Sequence, residues 1–253
     1  MDGGSRGQQT AMSGRRNRVA KAFGQVMLRV CYVFKMARDS SPFELLILDC
    51  DGVVVDSEPI TTRVLAEMLN ELGVTISVEE VVETFSGHTF TLEFASKRLG
   101  TSLPHEFLEN YRDRTFAAME AELKPVQGVE IALDQITIPY CIASNGPHEK
   151  MRKTLGVTSL LSRFEGRLFS SADVERGKPF PDLFLFAARH FAISPSACLV
   201  IEDSPSGVAA ARAAGMTVYG FSETTAAQRL VDAGAHGVFC QMSELPSLVS
   251  DRR

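Results

Sequence analysis

The sequence has no long hydrophobic run. No apolar stretch approaches the ~20 residues that a bilayer-spanning helix requires, so no spanning segment is expected. It also lacks a cysteine framework. Its five cysteines (Cys31, Cys50, Cys141, Cys198 and Cys240) are odd in number, widely scattered and without a CxxC pair. That pattern excludes a small disulfide scaffold and fits buried, reduced thiols in a cytoplasmic protein. Glycine and proline, 19 and 11 of 253 residues, are too sparse for a collagen or a low-complexity chain. With 45% hydrophobic and 23% charged residues, the chain is not of the kind that stays unfolded. There is no internal repeat. Positive charge is scarce outside the first 40 residues. Those hold eight basic and two acidic groups, a surplus of six, so a total of −5 leaves −11 on the remainder. A body of that charge argues against nonspecific nucleic-acid binding, and any anionic substrate must be drawn by local features.

Residues 1–40 read as a basic extension, expected to be disordered, with Met36 as an alternative start. A targeting peptide or a basic membrane-surface helix would have a similar composition. No clean apolar core with a small-residue cleavage site follows the charges, which argues against a secretory signal. At about 100–200 residues per domain, the length allows one large domain or two modest ones.

From residue 44 onward, short apolar runs alternate with helical spacing. Strands are expected at 44–49, 138–143, 168–170, 197–202, 216–220 and 237–240. Helices are expected at 59–72, 147–155, 181–190, 205–214 and 226–233. Such alternation with buried strands predicts an α/β protein with a parallel sheet covered on both faces. Residues 57–125 break the rhythm. They show only helical stretches, at 78–85, 91–99 and 104–123, the last with Pro104 in its first turn. An all-helical segment is thus inserted after the first strand.

In open α/β sheets, ligands bind beyond the carboxyl ends of the strands. After the first strand stand Asp49 and Asp51, two carboxylates close enough to repel unless a cation lies between them. Hard oxygen ligands of this kind suit Mg²⁺, although Asp51-Gly52 also reads as an ordinary strand-end turn. An EF-hand is excluded, because Val53 stands where the next acid is needed. After the second strand come Ser144, Asn145, Gly146 and Pro147, a hydroxyl and free amides at a helix start, where an anion can sit. An N-cap would read the same way. Lys178 precedes Pro179 and Pro181, whose rings stiffen the loop and fix where the ammonium points. Glu202 and Asp203 end an otherwise apolar strand, and acids placed there need a partner such as a metal. Together these strand ends can bind one phosphate and one divalent cation, and they offer Asp49 as a nucleophile.

The four segments, in order, resemble the four motifs of the haloacid dehalogenase superfamily. They are LILDCDGVVVDSE (46–58), Ser144 in IASNGP, Lys178 in GKPFPD, and Glu202-Asp203 in VIEDSPSGVAAARAAGM. The resemblance covers residues 43–245. It implies a Rossmann-like core with a helical cap inserted after the first motif: core at 41–56 and 127–253, cap at 57–126. It further implies a Mg²⁺-dependent phosphatase. In that scheme Asp49 attacks phosphorus and Asp51 serves as general acid and base. Ser144 and Lys178 hold the phosphoryl oxygens. The metal is held by Asp49, the Asp51 backbone carbonyl, Asp203 and Glu202, the last directly or through water. Substrate contacts are expected from Asn145, Gly146, Gly87 and His88. Asp51 separates this chain from the metal-free dehalogenases, which lack the second acid.

The subgroup resembled is that of β-phosphoglucomutases and small sugar-phosphate phosphatases. ASNGPHEKM (143–151) is most similar to phosphatases of 6-phosphogluconate and related sugar phosphates. Thr61 stands where mutases carry a histidine, and Ser86 and Phe90 replace the basic pair around Gly87. Hydrolysis of a small phosphorylated metabolite by a cytoplasmic monomer is therefore expected over mutase turnover. A phosphosugar mutase and a non-catalytic phosphometabolite sensor stand as alternatives.

Overall fold

A computed structural model describes residues 43–85 and 90–250. The basic extension at 1–40 and the expected contacts Gly87 and His88 lie outside the described residues. Cys50, Cys141 and Cys198 are buried free thiols, but Cys240 is disulfide-bonded, which corrects the expectation of reduced thiols throughout.

Six strands form one parallel sheet: β1 (Leu45–Leu48), β2 (Tyr140–Ser144), β3 (Leu168–Ser170), β4 (Cys198–Glu202), β5 (Thr217–Phe221) and β6 (Gly237–Phe239). Their order is β3-β2-β1-β4-β5-β6, with every neighbouring pair parallel. β1 is apolar at every position (LLIL) because helices cover both of its faces. Leu46, Leu48, Ile142, Leu199 and Ile201 face one core, while Leu45, Ile47, Cys141 and Val200 face the other. The period of two that divides them is that of a strand. The chain winds outward from β1 in one direction through β2 and β3, then in the other through β4 to β6. The winding reverses between β1 and β4, where such sheets open a crevice at their carboxyl ends.

Four helices lie between β1 and the short helix that precedes β2. They are α1 (Glu58–Glu71), α2 (Val78–Phe85), α3 (Leu92–Leu99) and α4 (Phe107–Glu122). In α1, Ile60, Val64, Leu65, Met68 and Leu69 form a helical stripe that is buried. Ser77 and Glu80 close a capping box on α2: the Glu80 amide donates to Ser77 Oγ at 3.1 Å, and the Ser77 amide donates to Glu80 Oε2 at 2.8 Å. Thr91 caps α3, and Gly100 ends it in the left-handed conformation. The chain enters and leaves this insertion through one paired crossing. The Asp56 amide donates to the Lys124 carbonyl and the Val126 amide to the Val54 carbonyl, both at 3.0 Å.

The remaining helices are α5 (Val129–Asp134), α6 (His148–Val157), α7 (Asp182–His190), α8 (Pro205–Ala213), α9 (Ala227–Asp232) and α10 (Leu245–Ser250). Three boundaries differ from the sequence reading for physical reasons, and two short helices were not expected. β2 begins at Tyr140 rather than 138, because Pro139 has no amide for a ladder. Pro104 is not in the first turn of α4. Its carbonyl accepts the Phe107 amide in a turn that precedes the helix. Pro147 is extended (ψ 154°) and stands before α6 rather than inside it. The short helices α5 and α10 carry too few residues to show a period.

Candidate active site

The carboxyl ends of β1, β2 and β4 converge on a cleft of about 420 Å³, roofed by α1 and α2 together with Phe90 and Tyr111. Asp49 directly follows β1, and its amide donates to the Ile201 carbonyl at 3.0 Å, which locks it beside β4. Gly52 then turns the chain at φ +75°. The amides of Val54 and Val55 both donate to the Cys50 carbonyl. That loop folds Asp51 back toward the crevice and buries Cys50 in the core.

Lys178 is not a solvated loop lysine. Its side chain is 3% exposed, and its Nζ donates to Asp49 Oδ1 at 2.6 Å and to Glu202 Oε1. Asn145 positions it: the Asn145 amide nitrogen donates to the Lys178 carbonyl at 3.1 Å, while its oxygen accepts the Lys178 amide at 2.8 Å. The Asn145 side chain thus clasps the lysine's backbone, while the residue itself lines the cleft. Gly177 leaves room for that clasp, since a Cβ there would lie 2.6 Å from Asn145 Oδ1.

Glu202 is fully buried. Its second oxygen accepts Ser204 Oγ at 2.9 Å, and Ser204 in turn caps α8 by accepting the Gly207 amide at 3.0 Å. Ser144 is buried at the end of β2, where its Oγ accepts the Gly146 amide at 3.1 Å. The structure therefore brings Asp49, Asp51, Ser144, Asn145, Gly146, Lys178 and Asp203 to one cleft, with Glu202 beneath it.

The electrostatics follow from burying many acids near few cations. Burial pushes the Asp49 carboxyl up to about 7; Lys178 opposes this, while Glu202 and Asp51 add to it. Burial, followed by the charges of Asp49 and Glu202, holds Asp203 well above the ordinary aspartate range. At Asp51 burial acts upward too, but the Lys150 ammonium and the hydrogen bonds from Lys150 and Ser57 outweigh it, and the net shift is downward. Burial opposes the charge on Lys178 as well, and the attraction of Asp49 and Glu202 overcomes it, so its pKa is raised.

Asp49, Glu202 and Asp203 each offer an oxygen within 4.8 Å of the others. Three buried carboxylates against one ammonium form a set that a hard divalent cation fits. Two glycines make room for that set. A Cβ on Gly52 would stand 2.0 Å from Asp203 Oδ2, and one on Gly207 1.9 Å from the Glu202 carboxyl carbon. Glu202 is pinned between Lys178 and Ser204 and cannot yield. Gly207→Ala is therefore expected to destabilise the protein by about 1–3 kcal/mol and to weaken divalent-cation binding. Chemical denaturation and calorimetric titration check this; wild-type values in both would contradict the packing.

One residue at the heart of the cleft escapes the sequence reading. Lys150, on the first turn of α6, donates to Asp51 Oδ2 at 2.6 Å. Ser57 Oγ holds the other oxygen, Oδ1, at 2.9 Å. The available signal was a lysine one turn into the helix that follows Ser144.

With this geometry in view, the chain belongs to the haloacid dehalogenase-like hydrolases: the model of that family matches residues 43–215. Three of its relatives, all bacterial, illustrate the likeness. The 6-phosphogluconate phosphatase of Escherichia coli (strain K12) is 33% identical over 211 residues, covering 82% of this chain and 95% of its own. A haloacid dehalogenase-like protein of Agrobacterium tumefaciens, of unknown function, superposes with a TM-score of 0.78 at 38% identity, covering 82% of this chain and 97% of its own. A hydrolase from Deinococcus radiodurans, solved with bound phosphate and sodium, gives a TM-score of 0.69 at 31% identity, covering 81% and 93%.

Proposed function

We propose that this phosphoric monoester hydrolase is a Mg²⁺-dependent phosphatase of small phosphorylated metabolites, sugar phosphates or 6-phosphogluconate-like acids, acting through an aspartyl-phosphate on Asp49. The observation that carries the reading is the meeting of Asp49, Lys178, Glu202 and Asp203 where the winding of the sheet reverses. The similarity to a 6-phosphogluconate phosphatase supports the substrate class.

In this reading Asp49 Oδ attacks phosphorus, and the bond to the leaving oxygen breaks. Asp51 gives that oxygen a proton and later recovers one from the attacking water, so it ends each cycle as it began. Lys150 keeps Asp51 ionised in the free site. An incoming phosphate dianion beside it raises its proton affinity, so Asp51 takes up a proton from solvent as substrate binds and returns it to solvent when phosphate leaves. Ser144 and Lys178 hold the phosphoryl oxygens, with the amide of Gly146 beside them. Mg²⁺ would be held by Asp49, Asp203 and the Asp51 carbonyl, with Glu202 direct or through water. When bound, it supplies charge neutralisation for the phosphoryl oxygens.

Residues 57–126 act as a cap on a core at 41–56 and 127–253, and substrate binding is assigned to Gly87 and His88. A cytoplasmic monomer completes the reading. A panel of sugar phosphates, 6-phosphogluconate, nucleotides and phosphoglycolate, assayed for phosphate release with Mg²⁺ and with EDTA, tests it. Release from a sugar phosphate or 6-phosphogluconate that EDTA abolishes is expected. No release from any member by protein that binds Mg²⁺ would overturn the reading.

A further inference from the structure

Asp51 and Lys150 are 99 residues apart in sequence and meet at 2.6 Å. We infer that Lys150 is a positioning residue for Asp51, fixing the carboxylate that serves the leaving group. The inference rests on the proposed role of Asp51 and extends it to a residue that the motif reading passes over.

An aspartate at a strand-end turn has a broad, weakly restrained second torsion. Here the two oxygens are held from opposite sides. Oδ1 accepts Ser57 Oγ, from the segment that leads into α1, and Oδ2 accepts Lys150 Nζ, from α6. One bond alone would leave the carboxylate free to swing about it; two from different elements fix its plane. The other lysine in the cleft lining cannot substitute, because Lys178 is engaged with Asp49 and Glu202.

The path of the lysine is prepared as well. Its stem runs past Gly146, where a Cβ would stand 3.4 Å from Lys150 Cδ, 3.4 Å from Ser144 Oγ and 4.0 Å from Asp51 Oδ2. A glycine at that point therefore keeps the Ser144 hydroxyl, the lysine and the acid together at one corner of the cleft. The Lys150 and Asp51 side chains remain 25% and 29% exposed. A half-open pair adds little to stability, so its worth lies in geometry.

Displacing a proton-transferring group affects leaving groups unequally. An alkoxide needs its proton as the bond to phosphorus breaks, whereas p-nitrophenolate departs as a stable anion. Lys150→Met and Lys150→Arg should be assayed on p-nitrophenyl phosphate and on the best alkyl phosphate of the panel. For Lys150→Met we expect kcat/KM, which reports the attack on phosphorus and not the later hydrolysis, to fall ~10- to 100-fold on the alkyl phosphate, as for lost orienting partners, with little change on p-nitrophenyl phosphate. The hydrolysis step, which Asp51 serves for both substrates, slows for both, and Lys150→Arg should recover part of each loss.

The ratio of the two rates in one sample cancels any loss of folded protein. An equal fall in kcat/KM on both substrates would overturn the inference. So would an equal rise in KM on both with kcat unchanged, which would make Lys150 a substrate contact. Asp49→Asn, assayed beside them, tests the parent reading separately: undiminished release in that variant sinks the aspartyl-phosphate scheme, whatever Lys150 does.

Discussion

Asp49→Asn is expected to lower phosphate release by a factor on the order of 10⁴ or more, as removal of a covalent nucleophile does elsewhere, while leaving the fold in place. The amide matches the carboxylate in shape but cannot attack phosphorus. It also takes one negative oxygen from the three-acid set that fits a divalent cation. Stability should move the other way in EDTA. The folded-state pKa of Asp49 lies near 7, against the ordinary value of 3.8. An acid raised in this way costs the fold free energy once the unfolded form ionises, so the penalty grows from about pH 4 to 7 and persists above. Asparagine carries no such penalty. At pH 8 without metal, the thermal midpoint of the variant should therefore equal or exceed that of the wild type. A midpoint several degrees lower would mean that Lys178 needs this partner more than burial penalises it. Release at a tenth of the wild-type rate or better would remove Asp49 as the nucleophile.

Lys178→Met should have the largest effect on stability. Methionine fills the space but withdraws the cation from Glu202, which is fully buried, and from Asp49. Breaking a buried pair on one side costs about 3–5 kcal/mol, because the remaining charge stays where water cannot reach it. Urea denaturation in EDTA reads this directly. Two companion results are expected. Adding Glu202→Gln to the variant should restore much of the loss, since the orphaned charge is then gone. Mg²⁺ should raise the midpoint more in Lys178→Met than in the wild type, because it supplies positive charge that the lysine no longer provides. Turnover should fall with stability and not return with Mg²⁺, since the contact to the phosphoryl oxygens is lost. Wild-type stability in the single variant would show that the buried acids take up protons once the cation is gone, so that no charge is left stranded.

The sheet and its strand ends were legible because their signals are local. A run such as LLIL followed by Asp49, or LVIE followed by Asp203, states both a buried strand and the turn that ends it within a few residues. The inserted helices were legible from spacing, and α2 matches its expected range to the residue. What escaped was long-range or too short for a period. Neither end of the pair between Lys150 and Asp51 announces the other, and a lysine in a first helical turn usually points to solvent. Asn145 was expected to face substrate because its neighbours do. Only the fold shows the Lys178 backbone lying across it. The need for Gly207 follows from a carboxylate packed under α8, a contact invisible to any count of residue types. Helices α5 and α10, at six residues each, span fewer than two turns, too short for an amphipathic stripe; α9 is no longer but lies between two evident strands, where the alternation calls for a helix.

The paired crossing has a consequence for how such a molecule can change. The Asp56 amide meets the Lys124 carbonyl and the Val126 amide meets the Val54 carbonyl, so the two ends of the insertion already lie side by side. A short reverse turn joining them would seal the sheet without moving a strand. Equally, a foreign helical bundle whose ends match this spacing could be spliced in at the same seam. If the cap sets selectivity as proposed, selectivity and reaction chemistry are carried on largely separable lengths of chain. A lineage, or a laboratory, can exchange the first while the second stands, provided Ser57 stays with Asp51.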